Sequence, residues 1–299
     1  MEGLEEWDKQ KQAPTFFVYC RQSRIIINRP SGAWLLDLRM KIDKSNWKDI
    51  DVNIDSLWII GPRATGGKRS NLYHGNFAPQ IPNHLIRRFT EEGDTVLDMF
   101  MGSGTTLYEC ETLNRNFIGF DINQEIIDFV NERMVGTENI KFSIFNCDVT
   151  DTTQVRNCIQ THFSGSLKKK VDFLISHPPY LDIIKFTNQP NDLSQISDIN
   201  LFIQKFVLAM KNCVDVLKSK KLFAVVIGDI YRDGEVIPLG FNLMDAIKRN
   251  IRCKLKGIIV KDMVGNRAKI GLEALWRYRT LKSDNFLFKH EYIFVFKKD

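Results

Sequence analysis

The chain has no CxxC pair, no apolar run near the length of a membrane span, and no lysine after its Gly102-Ser103-Gly104 turn. Each absence excludes a class. Six cysteines (Cys20, Cys110, Cys147, Cys158, Cys213, Cys253) lie scattered along 299 residues, which argues against a disulfide frame or a zinc site. They read as small buried hydrophobes of a reducing compartment. A membrane helix needs roughly 18–20 apolar residues, and no signal peptide opens the chain, so the expectation is a cytoplasmic protein with no membrane partner. The turn lacks both GxGxxG and the phosphate-loop lysine, so neither a hydride-transfer cofactor nor a nucleoside triphosphate is expected there.

What is present is ordinary in bulk. Hydrophobic residues make up 43% and charged residues 26%, as in a soluble globular protein. The length suits one large α/β domain, or one domain with an appendage. A net charge of +6 fits an anionic partner such as nucleic acid without requiring one.

The organising stretch is GDTVLDMFMGSGTTLYECETLNRNFIGFDIN, Gly93 to Asn123. Thr95–Asp98 is apolar enough for a parallel strand covered on both faces. Gly102 and Gly104 permit a tight turn and close approach of backbone to a ligand. A helix follows, then a strand Asn116–Phe120 that ends on Asp121. Asp121 comes 23 positions after Asp98, near the spacing at which an acid closes the next strand and binds ribose hydroxyls. The unit is therefore expected to hold an adenosine-containing cofactor. Asp148, after the expected strand Ile140–Phe145, is placed to bond an adenine amino group.

A second motif is His177-Pro178-Pro179-Tyr180, delivered by the strand Val171–Ser176. Two prolines stop the strand and stiffen the loop, at the strand edge where open α/β sheets bind ligands.

The DxFxGSGTT pattern strongly resembles the S-adenosylmethionine-binding motif of DNA amino-methyltransferases, and the Pro-Pro-Tyr loop resembles their catalytic motif. His74-Gly75-Asn76-Phe77-Ala78-Pro79-Gln80-Ile81-Pro82 resembles the segment these enzymes place ahead of the glycine turn, with Pro82 starting a helix that Gly93 stops. The resemblance covers roughly Tyr73 to Lys298. It implies a Rossmann-like methyltransferase fold: α/β, with a mostly parallel seven-stranded sheet and a terminal antiparallel hairpin. On this reading residues 1–70 form a small N-terminal extension for packing or DNA recognition, and residues 71–299 the methyltransferase domain. The implied cofactor is S-adenosylmethionine, held by Phe77, Gln80 and Pro82, by Asp98, Phe100, Gly102, Ser103, Gly104, Thr105 and Thr106, by Asp121, Ile122 and Asn123, and by Asp148 and Ser176. His177, Pro178, Pro179 and Tyr180 are the implied catalytic residues, and no metal is needed.

The chemistry accounts for those residue types. An exocyclic base amine is a poor nucleophile because its lone pair is delocalised into the ring. Acceptors that hold both its hydrogens favour a pyramidal nitrogen. A carbonyl of the Pro-Pro segment and the preceding side chain supply them, while Tyr180 stacks on the flipped base. The family carries Asp, Asn or Ser before the prolines; this chain has His177. A neutral imidazole accepts one hydrogen bond and a charged one none, so activity should fall as His177 protonates. The substitution also leaves adenine N6 and cytosine N4 both open as targets.

DNA contacts are expected from the basic loop with Arg63, Lys68 and Arg69, and from the irregular stretch Asp262–Lys289 with Arg267, Lys269, Arg277 and Arg279. The loop Ile183–Ser197 is a candidate for closing over the target. A homodimer or a cognate restriction endonuclease is a further expected partner. A cytosine C5 enzyme is excluded, since no cysteine follows a proline. The competing readings are an RNA amino-methyltransferase acting on guanine N2 or adenine N6, and a non-catalytic subunit that kept the fold.

Overall fold

The computed structural model describes residues 52–69, 75–166, 168–263 and 273–299. All of them fall in one compact unit, Leu38–Asp299. The sequence also reads as short strands at Phe16–Cys20 and Arg24–Asn28, with Trp7, Trp34 and Trp47 packing a small subdomain; these lie outside the described residues, as do His74, Arg267 and Lys269.

The chain alternates strand and helix. In order come β1 (Leu57–Trp58), α1 (Gln80–Phe89), β2 (Thr95–Asp98), α2 (Thr105–Thr112), β3 (Asn116–Asp121), α3 (Gln124–Arg133), β4 (Phe142–Asn146), α4 (Thr152–His162) and β5 (Val171–Ser176). Then follow α5 (Ile199–Asp215), β6 (Leu217–Ile227), a small hairpin of β7 (Ile230–Arg232) and β8 (Glu235–Ile237), α6 (Leu239–Asn250), β9 (Cys253–Asp262), α7 (Glu273–Lys282) and β10 (His290–Lys298).

The main sheet runs β1-β9-β10-β6-β5-β2-β3-β4. β4, β3, β2, β5 and β6 are mutually parallel, and β10 enters antiparallel between β6 and β9. This is the expected α/β architecture with its terminal hairpin, but with eight strands rather than seven. The extra strand is β1, parallel to β9, with Leu57 opposite Val260. Two residues are too few to show an alternation in sequence, and here Trp58, 1% exposed, anchors the edge.

Alternation along the central strands splits the core into two layers. Val96, Phe173, Ile175, Ala224 and Val226 face α1, α2 and α3, while Leu97, Leu174, Phe223 and Val225 face α4, α5 and α6. α5 shows why it is a helix: Phe202, Phe206, Met210 and Cys213 recur on one buried face, and Asp198 caps it by accepting from the Leu201 N–H at 2.7 Å. Burying each such side chain stabilises the fold by about 1.5–3 kcal/mol, an upper figure since the unfolded chain already hides some surface.

Several boundaries differ from the sequence expectation. α1 begins at Gln80, so Pro82 is its third residue rather than its first. The position is still harmless, because the first turn has no intrahelical partner for that N–H. β6 starts at Leu217, opposite Val171, and β9 at Cys253, opposite Lys298, and both strands open in lysine-rich segments. α7 occupies a stretch expected to be irregular. Its sequence, EALWRYRTLK, has good helix formers but spreads apolar and basic residues round the helix, leaving no stripe to detect.

Candidate functional site

Strand order reverses between β2 and β5: β3 and β4 lie to one side of that pair, β6 and β10 to the other. The carboxyl ends of β2 and β5 thus flank the crevice where open α/β sheets bind ligands. Both motifs are at this point, and the strand leading into the second is joined to the first: the Met99 N–H donates to the Ile175 carbonyl of β5 at 3.3 Å.

The glycine turn is braced from within. Asp98 is fully buried and accepts from Thr106 Oγ1 at 2.5 Å and from the Phe100 N–H at 3.1 Å. Burial pushes its carboxyl up to about 6, against the pull of those two donors. Asp121 caps the other side, accepting from the Gly102 N–H at 2.8 Å and the Asn123 N–H at 2.9 Å. Burial likewise raises it to about 6. Gly104 has φ 81° and opens α2; a Cβ there would stand 3.0 Å from Val130 Cγ1. Gly119, which sequence reasoning missed, lets the turn sit down on β3, since a Cβ would be 2.7 Å from Met101 Sδ.

These elements wall a cavity of about 730 Å3, a size suited to a nucleoside-sized ligand and more. Of the expected cofactor residues, Phe77, Phe100, Gly102, Ser103, Thr105, Asp121, Ile122 and Asp148 line it. Gln80, Pro82, Asp98, Gly104, Thr106, Asn123 and Ser176 do not, and most act as supports. Gln80 donates to the Pro62 carbonyl at 2.7 Å and accepts from the Ala64 N–H at 3.1 Å. Asn123 caps α3 by accepting from the Glu125 N–H at 3.0 Å. Pro82 packs in the core, and Ser176 is fully buried at the end of β5.

All four residues of the second motif line the same cavity. The His177 ring lies 5.0 Å from that of Phe77 and stands edge-on to Tyr180 at 5.8 Å. Burial lowers the His177 pKa, with Glu291 opposing and Lys261 reinforcing the shift. Burial first, then the Glu291 carboxylate, raises the Tyr180 phenol well above its usual value. Tyr180 has room for its ring because residue 228 is glycine; a Cβ there would be 3.1 Å from Cε2. Behind this pair stand Lys261 and Glu291, both lining the cavity and both overlooked as site residues. Their signal in the sequence is faint: Lys261 is one of three lysines in β9, and Glu291 stands at the start of β10.

The loop after Leu181 is fastened at the expected cofactor end. Asn191 donates to Asp148 Oδ2 at 3.1 Å, and Gln189 donates to the Ile122 carbonyl at 3.0 Å. Asp192 holds the loop's own turn through Thr187 and Ser194.

The basic residues divide. Arg63 lines the cavity and donates to the Phe77 carbonyl at 2.6 Å. Lys68 pairs with Glu111 at 2.6 Å, and Arg69 with the buried Glu109 at 2.7 Å. Arg277 and Arg279 are exposed on α7, the latter 5.5 Å from the Trp276 ring.

The site is therefore that of an α/β protein with a nucleoside-sized crevice at a topological switch point, walled by a glycine turn and a Pro-Pro-Tyr loop. Residues 6–132 match the family described as DNA methylase, which bears out the likeness to DNA amino-methyltransferases read from the glycine turn; the Pro-Pro-Tyr loop lies beyond that segment. The chain is 38% identical over 79 residues to the Type II methyltransferase M.MjaI of Methanocaldococcus jannaschii, covering 26% of each chain. It is 38% identical over 99 residues to the Type II methyltransferase M.HpaI of Haemophilus parainfluenzae, covering 30% of this chain and 32% of that one. The matches thus span about a quarter to a third of these relatives' length. Among solved structures, the chain is similar to TrmN from Thermus thermophilus at 15% identity and a TM-score of 0.47, over 76% of this chain and 50% of that one. That likeness is too slight to inform the reaction.

Proposed function

We propose that this chain transfers a methyl group from S-adenosylmethionine to the exocyclic amine of a flipped adenine (N6) or cytosine (N4) in a specific DNA site. The observation that carries this reading is that a glycine turn and a Pro-Pro-Tyr loop, 73 positions apart from Gly104 to His177, wall one cavity at the switch point. The residues fit the cofactor. Asp121 and Asp148 present carboxylates at the ends of β3 and β4, Ile122 and Val149 offer apolar walls, and the turn leaves its backbone uncovered beside them.

Bound there, the cofactor supplies an electrophilic methyl on a sulfonium. The protein's own part is placement. Tyr180 offers a π-face for a base drawn from its helix, worth roughly 1–3 kcal/mol against an unstacking cost of a few kcal/mol. Neutral His177 and a Pro-Pro carbonyl accept the amine hydrogens and set the nitrogen's lone pair toward the cofactor end. Holding two reactants in line removes much of the entropic barrier.

DNA is the partner this reading requires, with the exposed Arg277 and Arg279 on its contact surface and residues 1–70 as a recognition segment ahead of the catalytic domain 71–299. A restriction-modification setting in a cytoplasm, with a second copy or a cognate endonuclease as companion, is consistent with it. Among the described residues no helix is long and apolar enough to cross a membrane.

The test is to incubate the purified protein with labelled S-adenosylmethionine and either duplex DNA or transfer RNA, then digest and weigh the nucleosides. N6-methyladenine or N4-methylcytosine in DNA is expected. Label in RNA alone would replace this reading with RNA methylation.

A further inference from the structure

We propose that Lys261, Glu291 and Tyr180 form a one-directional hydrogen-bond relay that holds His177 as its Nε2–H tautomer, leaving Nδ1 as the acceptor for the substrate amine. Lys261 and Glu291 are positioning residues acting through His177, Tyr180 adds this role to its contact with the base, and the last clause rests on the amine-methylation reading.

The direction follows from donor and acceptor inventories. Lys261 Nζ lies 2.8 Å from Glu291 Oε1, and an ammonium only donates. Glu291 pairs with it as a carboxylate, which only accepts. Tyr180 Oη lies 3.2 Å from Glu291 Oε2, so the phenol directs its single proton there. What remains on Tyr180 Oη is lone pairs. His177 Nε2, 3.5 Å away, therefore meets an acceptor and carries the hydrogen itself. Among the described residues no hydrogen bond reaches Nδ1, and a neutral imidazole protonated at Nε2 has its lone pair at Nδ1.

The frame around the relay is rigid. Lys261 and Glu291 are directly opposed across β9 and β10, so sheet register sets their pairing. Both are buried, at 6% and 7% exposure, where an unpaired charge is costly. Phe77 and Tyr180 pack against the His177 ring from two sides. The charged and titratable groups facing His177 are thus Glu291 from β10, Lys261 from β9 and the Tyr180 phenol of its own loop.

The relay answers a problem the histidine creates. Aspartate presents acceptors whichever way it turns. An imidazole presents one, and in the wrong tautomer it would point N–H at N–H.

Glu291→Gln supplies the test. The amide oxygen would take the Lys261 proton, and the amide nitrogen would then donate to Tyr180 Oη. The phenol would turn its proton to His177 Nε2, and the ring would switch to Nδ1–H. Long-range 1H–15N spectra of the full chain, with 15N-labelled histidine, read this directly. Five histidines must be resolved, and His177 is assigned by difference from His177→Gln. The expected result is Nε2–H in the wild type and Nδ1–H in the variant, with kcat for DNA methylation at least tenfold lower and the DNA KM little changed. An Nδ1–H wild type, or no tautomer change in the variant, overturns the relay. If Glu291→Gln does not fold, Tyr180→Phe substitutes. It keeps the ring and removes Oη, so a mixed tautomer is expected and an unchanged Nε2–H refutes the proposal. An Nε2–H wild type that methylates no DNA would sink the functional reading and leave the relay standing.

Discussion

Asp121 at the end of β3 accepts a hydrogen bond from the backbone N–H of Gly102 at 2.8 Å. The same carboxylate takes the Asn123 N–H at 2.9 Å, so one side chain ties the glycine turn to the strand that should carry the ribose. Bonds of this charge-assisted kind contribute about 1.5–3 kcal/mol each. Asp121→Asn keeps one acceptor oxygen and turns an NH2 group toward the other backbone donor. Affinity for S-adenosylmethionine should fall at least tenfold by titration calorimetry. Because burial raises Asp121 to about 6, the wild type should also bind more weakly below that pH, as the carboxyl takes up a proton and loses acceptor capacity. Unchanged affinity in the variant would remove Asp121 from the cofactor site.

His177 gives a second pH dependence. Its acceptor nitrogen disappears on protonation, so kcat should fall as pH drops through the folded-state pKa. Burial lowers that pKa from the ordinary 6.5, with Glu291 opposing and Lys261 reinforcing. The acid limb of kcat should therefore lie below pH 6.5, with full activity above it. His177→Asn, restoring one of the family's residue types, should flatten that limb while retaining transfer. A limb that survives in this variant would assign the titration elsewhere, with Asp121 the first group to examine.

The sequence revealed the site in proportion to how local its physics is. β2, the turn, α2 and β3 form one continuous segment in which a buried strand reads as an apolar run and a positive φ reads as glycine. The Pro-Pro-Tyr loop is equally local. Lys261 and Glu291 escaped notice because their meaning comes from a cross-strand pairing 30 positions apart, and only register shows that they face each other. The basic loop holds pairings that are hidden for the same reason. Lys68 and Arg69 look like free cations until the fold brings Glu111 and Glu109 to them from 43 and 40 positions away. β1 is two residues long and has no periodicity to find.

That division of the basic residues is itself testable. Arg277 and Arg279 are exposed on α7, and among the described residues neither forms an ion pair with a carboxylate. Each phosphate contact contributes a slope of about −0.9 to log K against log salt on duplex DNA. Replacing both arginines by alanine should therefore flatten the salt dependence of DNA binding by about 2 units, leaving cofactor affinity and thermal stability as they were. Arg69→Ala should behave in the opposite way. It strands Glu109, fully buried and otherwise held by Asn83 at 2.9 Å. Leaving a buried charge unpaired costs about 3 kcal/mol, so denaturant midpoints should drop while the salt slope stays. If the Arg277/Arg279 variant keeps the full slope, α7 is not on the DNA side of the molecule. The phosphate contacts must then come from elsewhere in the chain.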